Sequence, residues 1–418
     1  MNSRQRVQSA LAHQQPDRIP LDLGATPVSG MHVQSVYRLR QALGLDAPGT
    51  PVRIIEPYQN LGEIKPDLME VLGVDVVGIS PPTTLFGFRN RDWKPWTAFG
   101  GTPVEVPGGY NIEPEPDGSI LMYPDGDQSI PPSGRMPAGG WYFDSLERQQ
   151  PVDDDHLNVE DNLEEFSLIS EADLKYFRGE VKRLSSTGKA ILANFGGTAF
   201  GDIALVPAPW LKHPRGIRGV EEWYVSTASR RDYVYQVFER QCQIAMTNLE
   251  RLHGVVGERI DAIYMTGSDF GTQRGPFISP RAYRSLFQPF HKILNDWVHR
   301  NTTWKTFIHS CGSVVVLIPD FIAAGFDILN TVQCSAEGMD AAGLKARFGE
   351  QITFWGGGVD TQQLLPFGTP AQVSEQVRRQ IEIFGPGGGY VFNTIHNVQP
   401  QVPVENLLAL YQAVNNYQ

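Results

Sequence analysis

The chain has 418 residues, of which 41% are hydrophobic and 19% are charged. That composition supports a large core and excludes a wholly disordered protein. The formal net charge of −11 would repel a polyanion, so we expect no nucleic-acid partner. No apolar run reaches the roughly 18 residues of a membrane span, and the polar N-terminus lacks a signal core. We therefore expect neither a membrane partner nor secretion.

The chain contains three cysteines, too few for a disulfide framework. They are Cys242, Cys311 and Cys334. A sparse, odd set is typical of a reducing compartment, so we expect a cytoplasmic protein whose cysteines serve chemistry. Cys242 falls within a helical pattern and is interpreted as a core residue.

Eight short β-rich runs alternate with helical patterns along the chain. The runs are 19–23, 74–79, 189–195, 262–265, 304–308, 327–330, 352–355 and 390–393. An amphipathic stretch precedes the second run, and periodic helical patterns lie between the later runs. The pattern 280–300 opens with a Ser279-Pro280 start signal. These stretches are 61–72, 231–253, 280–300, 314–323, 342–348, 369–384 and 403–414. The alternation predicts parallel strands with right-handed crossovers.

The number of repeats predicts an α/β fold, a single (β/α)8 TIM barrel over residues 1–418. A doubly wound open sheet is the structural alternative, although no G-x-G-x-x-G motif opens the first helix. Residues 86–154 interrupt the alternation and are rich in Gly, Pro and aromatics with turn signals. They predict a hairpin-rich insertion after the second strand, which either covers the substrate or serves as an ornament or a contact in a homodimer.

Polar residues follow the strand runs, where a barrel enzyme carries its active site. They are Asn194, Ser268, Asp269, His309, Cys311, Cys334, Asp360 and His396. We assign Asn194, Ser268 and Asp269 to catalysis. The glycine triplet 356–358 follows the seventh run and faces the same end of the barrel. We therefore assign Gly356, Gly357, Asp360 and Asn393 to substrate binding.

His309 and Cys311 form the sharpest local feature. At a strand end, residues two apart point to the same side, and an imidazole with a thiolate suits Zn²⁺. His396 or Cys334 could supply the third ligand, with Cys334 otherwise a further one. Asp269 could add an oxygen or hold an imidazole. The alternative is a buried cysteine packed beside a hydrogen-bonded histidine.

Several stretches carry a family resemblance. They are Arg4-x-Arg6-Val7, PDRIP at 16–20, GPFISP at 275–280, HSCG at 309–312, FWGGGVDTQ at 354–362, GGGYVFNTIHN at 387–397 and VPVEN at 402–406. With these motifs the chain resembles the uroporphyrinogen decarboxylase superfamily outside the insertion, which implies a (β/α)8 barrel. One branch decarboxylates uroporphyrinogen without a metal. The other contains zinc-dependent methyltransferases that move a methyl group between a corrinoid (cobamide) and a small molecule such as a thiol.

The resemblance is closer to the methyltransferase branch. The decarboxylases carry an arginine-rich stretch that grips substrate carboxylates, whereas this chain has DLGAT at 22–26. The methyltransferases carry His-x-Cys, matched by His309 and Cys311, and a third ligand Cys, which His396 replaces here. The resemblance thus implies a Zn²⁺ enzyme that receives its corrinoid from a carrier protein. The rivals are a metal-independent decarboxylase of a tetrapyrrole or smaller carboxylate, and a corrinoid- or tetrapyrrole-binding protein without turnover.

Overall fold

The chain folds into alternating strands and helices, which a computed structural model describes over residues 1–164, 166–196 and 200–417. The strands are β1 (Val52–Glu56), β2 (Leu61–Gly62), β3 (Val76–Ile79), β4 (Lys94–Ala98), β5 (Thr102–Val106), β6 (Ile112–Pro114), β7 (Ile120–Met122), β8 (Gly134–Met136), β9 (Asp144–Ser145), β10 (Ala190–Ala193), β11 (Ala262–Thr266), β12 (Lys305–His309), β13 (Ile328–Asn330), β14 (Thr353–Trp355) and β15 (Tyr390–Val391).

The helices cover the strands from outside and at one end. They are α1 (Ser3–Leu11), α2 (Val33–Ala42), α3 (Pro66–Leu72), α4 (Glu171–Ser185), α5 (Val220–Ser229), α6 (Arg231–Val256), α7 (Pro280–Leu286), α8 (Gln288–Asn301), α9 (Ile318–Ala323), α10 (Ala341–Phe348), α11 (Leu364–Phe367), α12 (Pro370–Phe384) and α13 (Val404–Asn415). Among the described helices, none combines the length and the apolar character that crossing a bilayer requires.

The main sheet is parallel and curled. Its seven strands run in the order β15-β14-β13-β12-β11-β10-β3. The segment 20–22 joins the two edges of this sheet. Phe392 N donates to Pro20 O at 2.8 Å and Asp22 N donates to Phe392 O at 2.9 Å, while Asp75 N donates to Leu21 O at 2.8 Å. The predicted run 19–23 therefore lies between β15 and the start of β3, which gives the sheet a TIM-barrel-like form.

The interior of the curled sheet is filled by apolar side chains from successive strands. They form one buried cluster: Val76, Ala190, Leu192, Ala262, Phe307, Ile328, Trp355 and Val391. Val7, Ala10 and Leu11 of α1 belong to the same cluster and close the N-terminal end of the sheet. Every residue of β10, β13 and β14 is buried, as parallel strands covered on both faces require. Only the C-terminal end is left for a functional site.

Two predicted helices differ from the structure. The stretch 61–72 is helical only from Pro66, because Leu61 and Gly62 pair with β1 and proline suits a first helical turn. The pattern 280–300 forms two helices, α7 and α8. Pro289 has no backbone N–H for the preceding turn, so the helix restarts at Gln288.

Residues 86–154 contain short antiparallel strands. β4 pairs with β5, and β6 to β9 form a sheet in sequence order. β5 also pairs with β1, which anchors the segment to the strand that precedes β2. Near its end, the Trp141 carbonyl accepts hydrogen bonds from His32 Nε2 at 3.0 Å and Asn60 Nδ2 at 2.8 Å. His32 N in turn donates to Val398 O, so this segment lies beside the chain that follows β15.

A buried carboxylate joins the first segments of the fold. Asp75, which is fully buried, pairs with Arg6 at 2.7 Å and with Arg18 at 2.8 Å. Its Oδ2 also accepts a hydrogen bond from the backbone N–H of Leu21. Arg6 is nearly buried and also pairs with Asp17. The arginines of the N-terminal motifs therefore hold α1 and segment 16–22 against the start of β3.

We expect Asp75→Ala to lower the free energy of unfolding by about 3–5 kcal/mol, because it leaves two arginines without their buried partner. Urea denaturation followed by circular dichroism measures the change. Asp296→Ala, which removes an exposed ion pair with Lys292, is the control and should cost less than about 1 kcal/mol. Equal losses in the two variants would contradict this account of Asp75.

Candidate metal centre

Three side chains converge at the C-terminal end of the sheet. His309 is the last residue of β12, Cys311 follows it in the next loop, and His396 lies in the loop after β15. One ligand atom of each lies within 4.8 Å of the others. His309 Nε2 and Cys311 Sγ are 3.4 Å apart. The curled sheet thus brings together the three residues that the sequence predicted as metal ligands.

The tautomer of His309 follows from its neighbours. Asn330 Nδ2 donates to the Trp355 carbonyl at 2.7 Å, and a carbonyl can only accept. The other atom of the amide, Asn330 Oδ1, therefore faces His309 Nδ1, at 2.6 Å. An amide oxygen also only accepts, so Nδ1 carries the proton and Nε2 presents a lone pair toward Cys311. This is the arrangement in which a ligating histidine is usually held.

Asp269 binds the backbone of Cys311 and lies beside the ring of His309. Its Oδ1 accepts a hydrogen bond from the Cys311 N–H at 2.5 Å and lies 3.8 Å from His309 Nε2. Tyr224 donates its hydroxyl to the Asp269 carbonyl at 2.7 Å, which fixes the loop. Burial raises the pKa of the Cys311 thiol well above its ordinary value, and the neighbouring Asp269 charge adds to the rise.

His396 completes the cluster without support for its own ring. Its ring lies edge-on to that of His309, with centroids 5.6 Å apart. Among the residues that the structure describes, no hydrogen bond reaches a ring nitrogen of His396. Burial lowers its pKa to about 3, and His309 adds to this effect. His396 is therefore neutral near pH 7, the form in which imidazole binds a metal.

The donor set fits a zinc ion. With Zn–N near 2.0–2.1 Å and Zn–S near 2.3 Å, a tetrahedral site has an N···S edge of about 3.6 Å, close to the observed 3.4 Å. That distance alone also suits a thiol–imidazole hydrogen bond. The cation is favoured because the lone pair of His309 Nε2 faces the thiol and the Asp269 carboxylate, and because His396 presents a second unpaired imidazole. Three protein ligands would leave one position for substrate.

Known proteins resemble this chain in the region that carries the cluster. The model of the family described as uroporphyrinogen decarboxylase (URO-D) matches residues 245–417, which include all three cluster residues. A uroporphyrinogen decarboxylase of Pseudoalteromonas atlantica is 24% identical over 210 residues, covering 47% of this chain and 56% of the relative. One from Actinobacillus succinogenes is 35% identical over 88 residues, covering 20% of this chain and 24% of the relative. The chain thus spans little more than half of these curated relatives at most.

A solved structure extends the similarity to the whole chain. A methyltransferase from Methanosarcina mazei superposes with a TM-score of 0.54 and 13% identity, covering 100% of this chain and 99% of the other. At that identity the likeness concerns the fold. Residues 245–417 thus match the uroporphyrinogen decarboxylase family, and the likeness of fold extends over the whole chain. The sequence resemblance is thereby confirmed at the level of the superfamily.

The other predicted site residues have different surroundings in the structure. Asp269 contacts the cluster. Cys334 does not belong to it, because its Sγ lies beside Gly357, and burial raises the pKa of its thiol to about 12. Ser268 is buried, and its hydroxyl donates to the Phe200 carbonyl at 3.1 Å. Ser268 thus binds the backbone of the loop after β10, and its catalytic role stays a prediction.

The remaining predicted residues stabilise loops at the same end of the sheet. Asn194 Oδ1 accepts from Gly196 N at 3.0 Å, and the rest of this loop, residues 197–199, lies outside the described residues. Asp360 Oδ1 accepts from the backbone of Gln362 and Gln363, which makes it a turn residue rather than a ligand contact. Asn393 Nδ2 donates to Asp22 O at 2.9 Å, while its Oδ1 is buried without a partner.

The glycine triplet does not open space for a ligand. A Cβ at Gly356 would overlap the carbonyl oxygen of Thr331, and Gly356 has a φ of +127°. Gly357 has a φ of +69° and donates its N–H to the same carbonyl at 3.0 Å. Both glycines are therefore required by close packing of neighbouring loops, which corrects their assignment to substrate binding.

Sequence reasoning missed residues that shape the centre. Asn330 ends the sixth run next to His309 and could have been found as a polar residue closing an apolar strand. Asp202 follows the third predicted run, which contains β10, and no local sequence pattern marks it as a site residue. Burial raises the pKa of Asp202 to about 8, and Asp269 contributes to the rise. Tyr264 is near Asp202, since a Cβ at Gly267 would contact both side chains.

His291, within the predicted helical stretch 280–300, lies in the core. It is buried, and its Nδ1 lies 2.9 Å from the Tyr283 hydroxyl. Burial lowers its pKa to about 3, so it stays neutral in the core. Cys242, by contrast, is buried in α6 as predicted. Neither residue contributes to the metal centre.

We expect Asn330→Ala to weaken zinc binding about 10–100-fold, because His309 loses the acceptor that fixes its ring. Chelator competition on the purified protein measures the affinity. Asn295→Ala is the matched control. Asn295 lies on α8, and its buried amide donates to the Ala324 carbonyl after α9. The control should lower stability but leave zinc affinity unchanged. A zinc affinity in Asn330→Ala equal to that of the wild type would contradict the orienting role.

Proposed function

We propose that the protein is a zinc-dependent methyltransferase, which moves a methyl group between a corrinoid protein and a small-molecule donor or thiol acceptor. The observation that carries this proposal is the convergence of His309, Cys311 and His396 within 4.8 Å. The superfamily relationship and the name of the Methanosarcina mazei methyltransferase support it.

The proposed roles follow from the contacts. His309, through Nε2, and His396 would hold the zinc with the Cys311 thiolate. Bound zinc would act as a Lewis acid that lowers the pKa of a thiol or polarises a methyl-bearing heteroatom. Asp269 fixes the Cys311 backbone and places negative charge beside the centre. Asp202 uses Oδ1 to accept the Ala204 N–H, so Oδ2 is the atom that would hold a proton near neutral pH.

The proposed corrinoid comes from a separate carrier protein that meets the C-terminal end of the sheet. Cys311 and His396 are both partly exposed there, while the N-terminal end is closed by α1. A large flat cofactor can reach the centre only from the open end. The segment that carries Trp141 lies beside the chain after β15 and would form part of the rim that the carrier meets.

The first test is metal content. We expect purified protein to hold about one zinc per chain by inductively coupled plasma mass spectrometry, and His309→Ala, Cys311→Ser and His396→Ala each to lose it. Cys334→Ser is the matched control, because Cys334 is partly exposed, as Cys311 is, but lies outside the cluster. That variant should keep its zinc. A wild-type protein without stoichiometric zinc, together with a fully active His309→Ala, would refute the proposal.

A metal-independent decarboxylase is the second candidate, and the names of the curated relatives favour it. The negative charge of Asp269 beside the cluster opposes it, because a highly carboxylated substrate needs cationic partners. Asp22, at the position of the decarboxylases' arginine-rich stretch, is buried and accepts from Trp355 Nε1.

We expect the protein to release no CO₂ from uroporphyrinogen, with or without chelator, because that substrate's carboxylates meet acidic groups. Methyl transfer from a methylated corrinoid protein to a thiol, or from a methyl donor to the reduced corrinoid, should be detected and should stop in chelator. Product analysis by mass spectrometry distinguishes the two activities. Decarboxylation that persists in chelator and in Cys311→Ser would establish the second candidate instead.

A further inference from the structure

The third candidate ligand, His396, is placed by its loop rather than by a partner of its ring. His309 is held by β12 and by Asn330, and Cys311 by the hydrogen bond of its N–H to Asp269. Within the described residues, the His396 ring has no hydrogen bond of its own. Its position therefore depends on the conformation of the segment that follows β15.

That segment has little regular structure. β15 ends at Val391, and parallel bridges join Phe392 to Leu21 and Val398 to Met31. The residues between the two bridges carry His396. Backbone hydrogen bonds reach Asn393 and Ile395, but within the described residues none reaches His396 or Asn397. The Thr394 hydroxyl donates to the His396 carbonyl, and the other bonds of this part of the loop must come from further side chains.

Asn397, the residue after His396, supplies these bonds. Its Oδ1 accepts from Gly30 N at 2.5 Å, and its Nδ2 donates to Pro27 O and to Gln59 Oε1, both at 2.7 Å. Gln59 Nε2 donates to the same Pro27 carbonyl at 3.1 Å. Asn397 is 1% exposed, so these bonds are shielded from water. One amide thus ties the His396 loop to two other parts of the chain.

We infer that Asn397, together with Gln59, is the positioning residue that sets His396 for metal binding. The inference rests on the proposed metal centre. Only an amide meets this geometry, because the side chain must accept once and donate twice. A carboxylate at this position would face two acceptor oxygens. A shorter side chain would leave the Gly30 N–H without its partner and would remove one of the two donors to the Pro27 carbonyl.

The inference also connects the metal centre with residues 86–154. Asn60, next to Gln59, donates to the Trp141 carbonyl at 2.8 Å. The turn that contains Gln59 and Asn60 therefore contacts the His396 loop on one side and the Trp141 segment on the other.

The experiment compares zinc affinity in three variants by chelator competition. We expect Asn397→Ala to bind zinc about 10–100-fold more weakly than the wild type, and Gln59→Ala to show a smaller loss in the same direction. Asn406→Ala is the matched control. Asn406 is also 1% exposed, and its Nδ2 donates to the Leu365 and Gly368 carbonyls, which take no part in the side-chain bonds of Asn397. It should lose stability and keep its zinc affinity.

The Co²⁺-substituted proteins give a second readout that general destabilisation would not move. The visible spectrum of Co²⁺ reports its coordination geometry, and it should change in Asn397→Ala and stay as in the wild type in Asn406→Ala. If Asn397→Ala does not fold, Gln59→Ala decides by the same two measurements. Wild-type affinity and spectrum in both variants, or equal losses in Asn406→Ala, would overturn the inference. A wild-type protein that binds no zinc would instead remove the proposed function.

Discussion

The register between β12 and β13 is the constraint on which the candidate site depends. Their last paired residues are His309 and Asn330. Because paired residues of adjacent strands point to the same face, this pairing places the amide beside the imidazole. The Trp355 carbonyl, at the end of the next strand, then fixes which atom of the amide faces His309. A shift of one residue would turn Asn330 to the other face and free the His309 ring.

The hydrogen bonds that join the two edges of the main sheet are a second constraint on the candidate site. Segment 20–22 hydrogen-bonds to the chain after β15 on one side and to Asp75 on the other. The residues that follow this segment include Pro27 and Gly30, which hold Asn397. The same closure that completes the sheet therefore provides the contacts of the His396 loop. Fold and site share these hydrogen bonds, so a change in one affects the other.

The sequence predicted the parts that depend on apolar patterning and on strand ends. Each strand of the main sheet overlaps a predicted run, and β11 and β12 extend one residue beyond theirs. Buried parallel strands are recognisable as short apolar segments. His309, Cys311 and His396 were found because strand ends meet at one edge of the sheet. Asn330 and Asn397 were not, because their importance lies in which atom of an amide faces which partner. Gly356 was assigned to substrate binding because a glycine after a strand indicates a close approach to its backbone. The sequence does not show that the approaching group is the Thr331 carbonyl.

A histidine at the third candidate ligand position would change the charge of the proposed zinc centre. Two neutral imidazoles and one thiolate would leave a bound Zn²⁺ with a net charge of +1, whereas a second thiolate would make it neutral. The Asp269 carboxylate, 3.8 Å from His309 Nε2, lies close enough to offset this charge without being a ligand. A metal ion whose ligands neutralise less of its positive charge is a stronger Lewis acid. Relative to a His/Cys/Cys site, the His/Cys/His set therefore favours activation of the small molecule at the fourth position over a highly electron-rich bound thiolate.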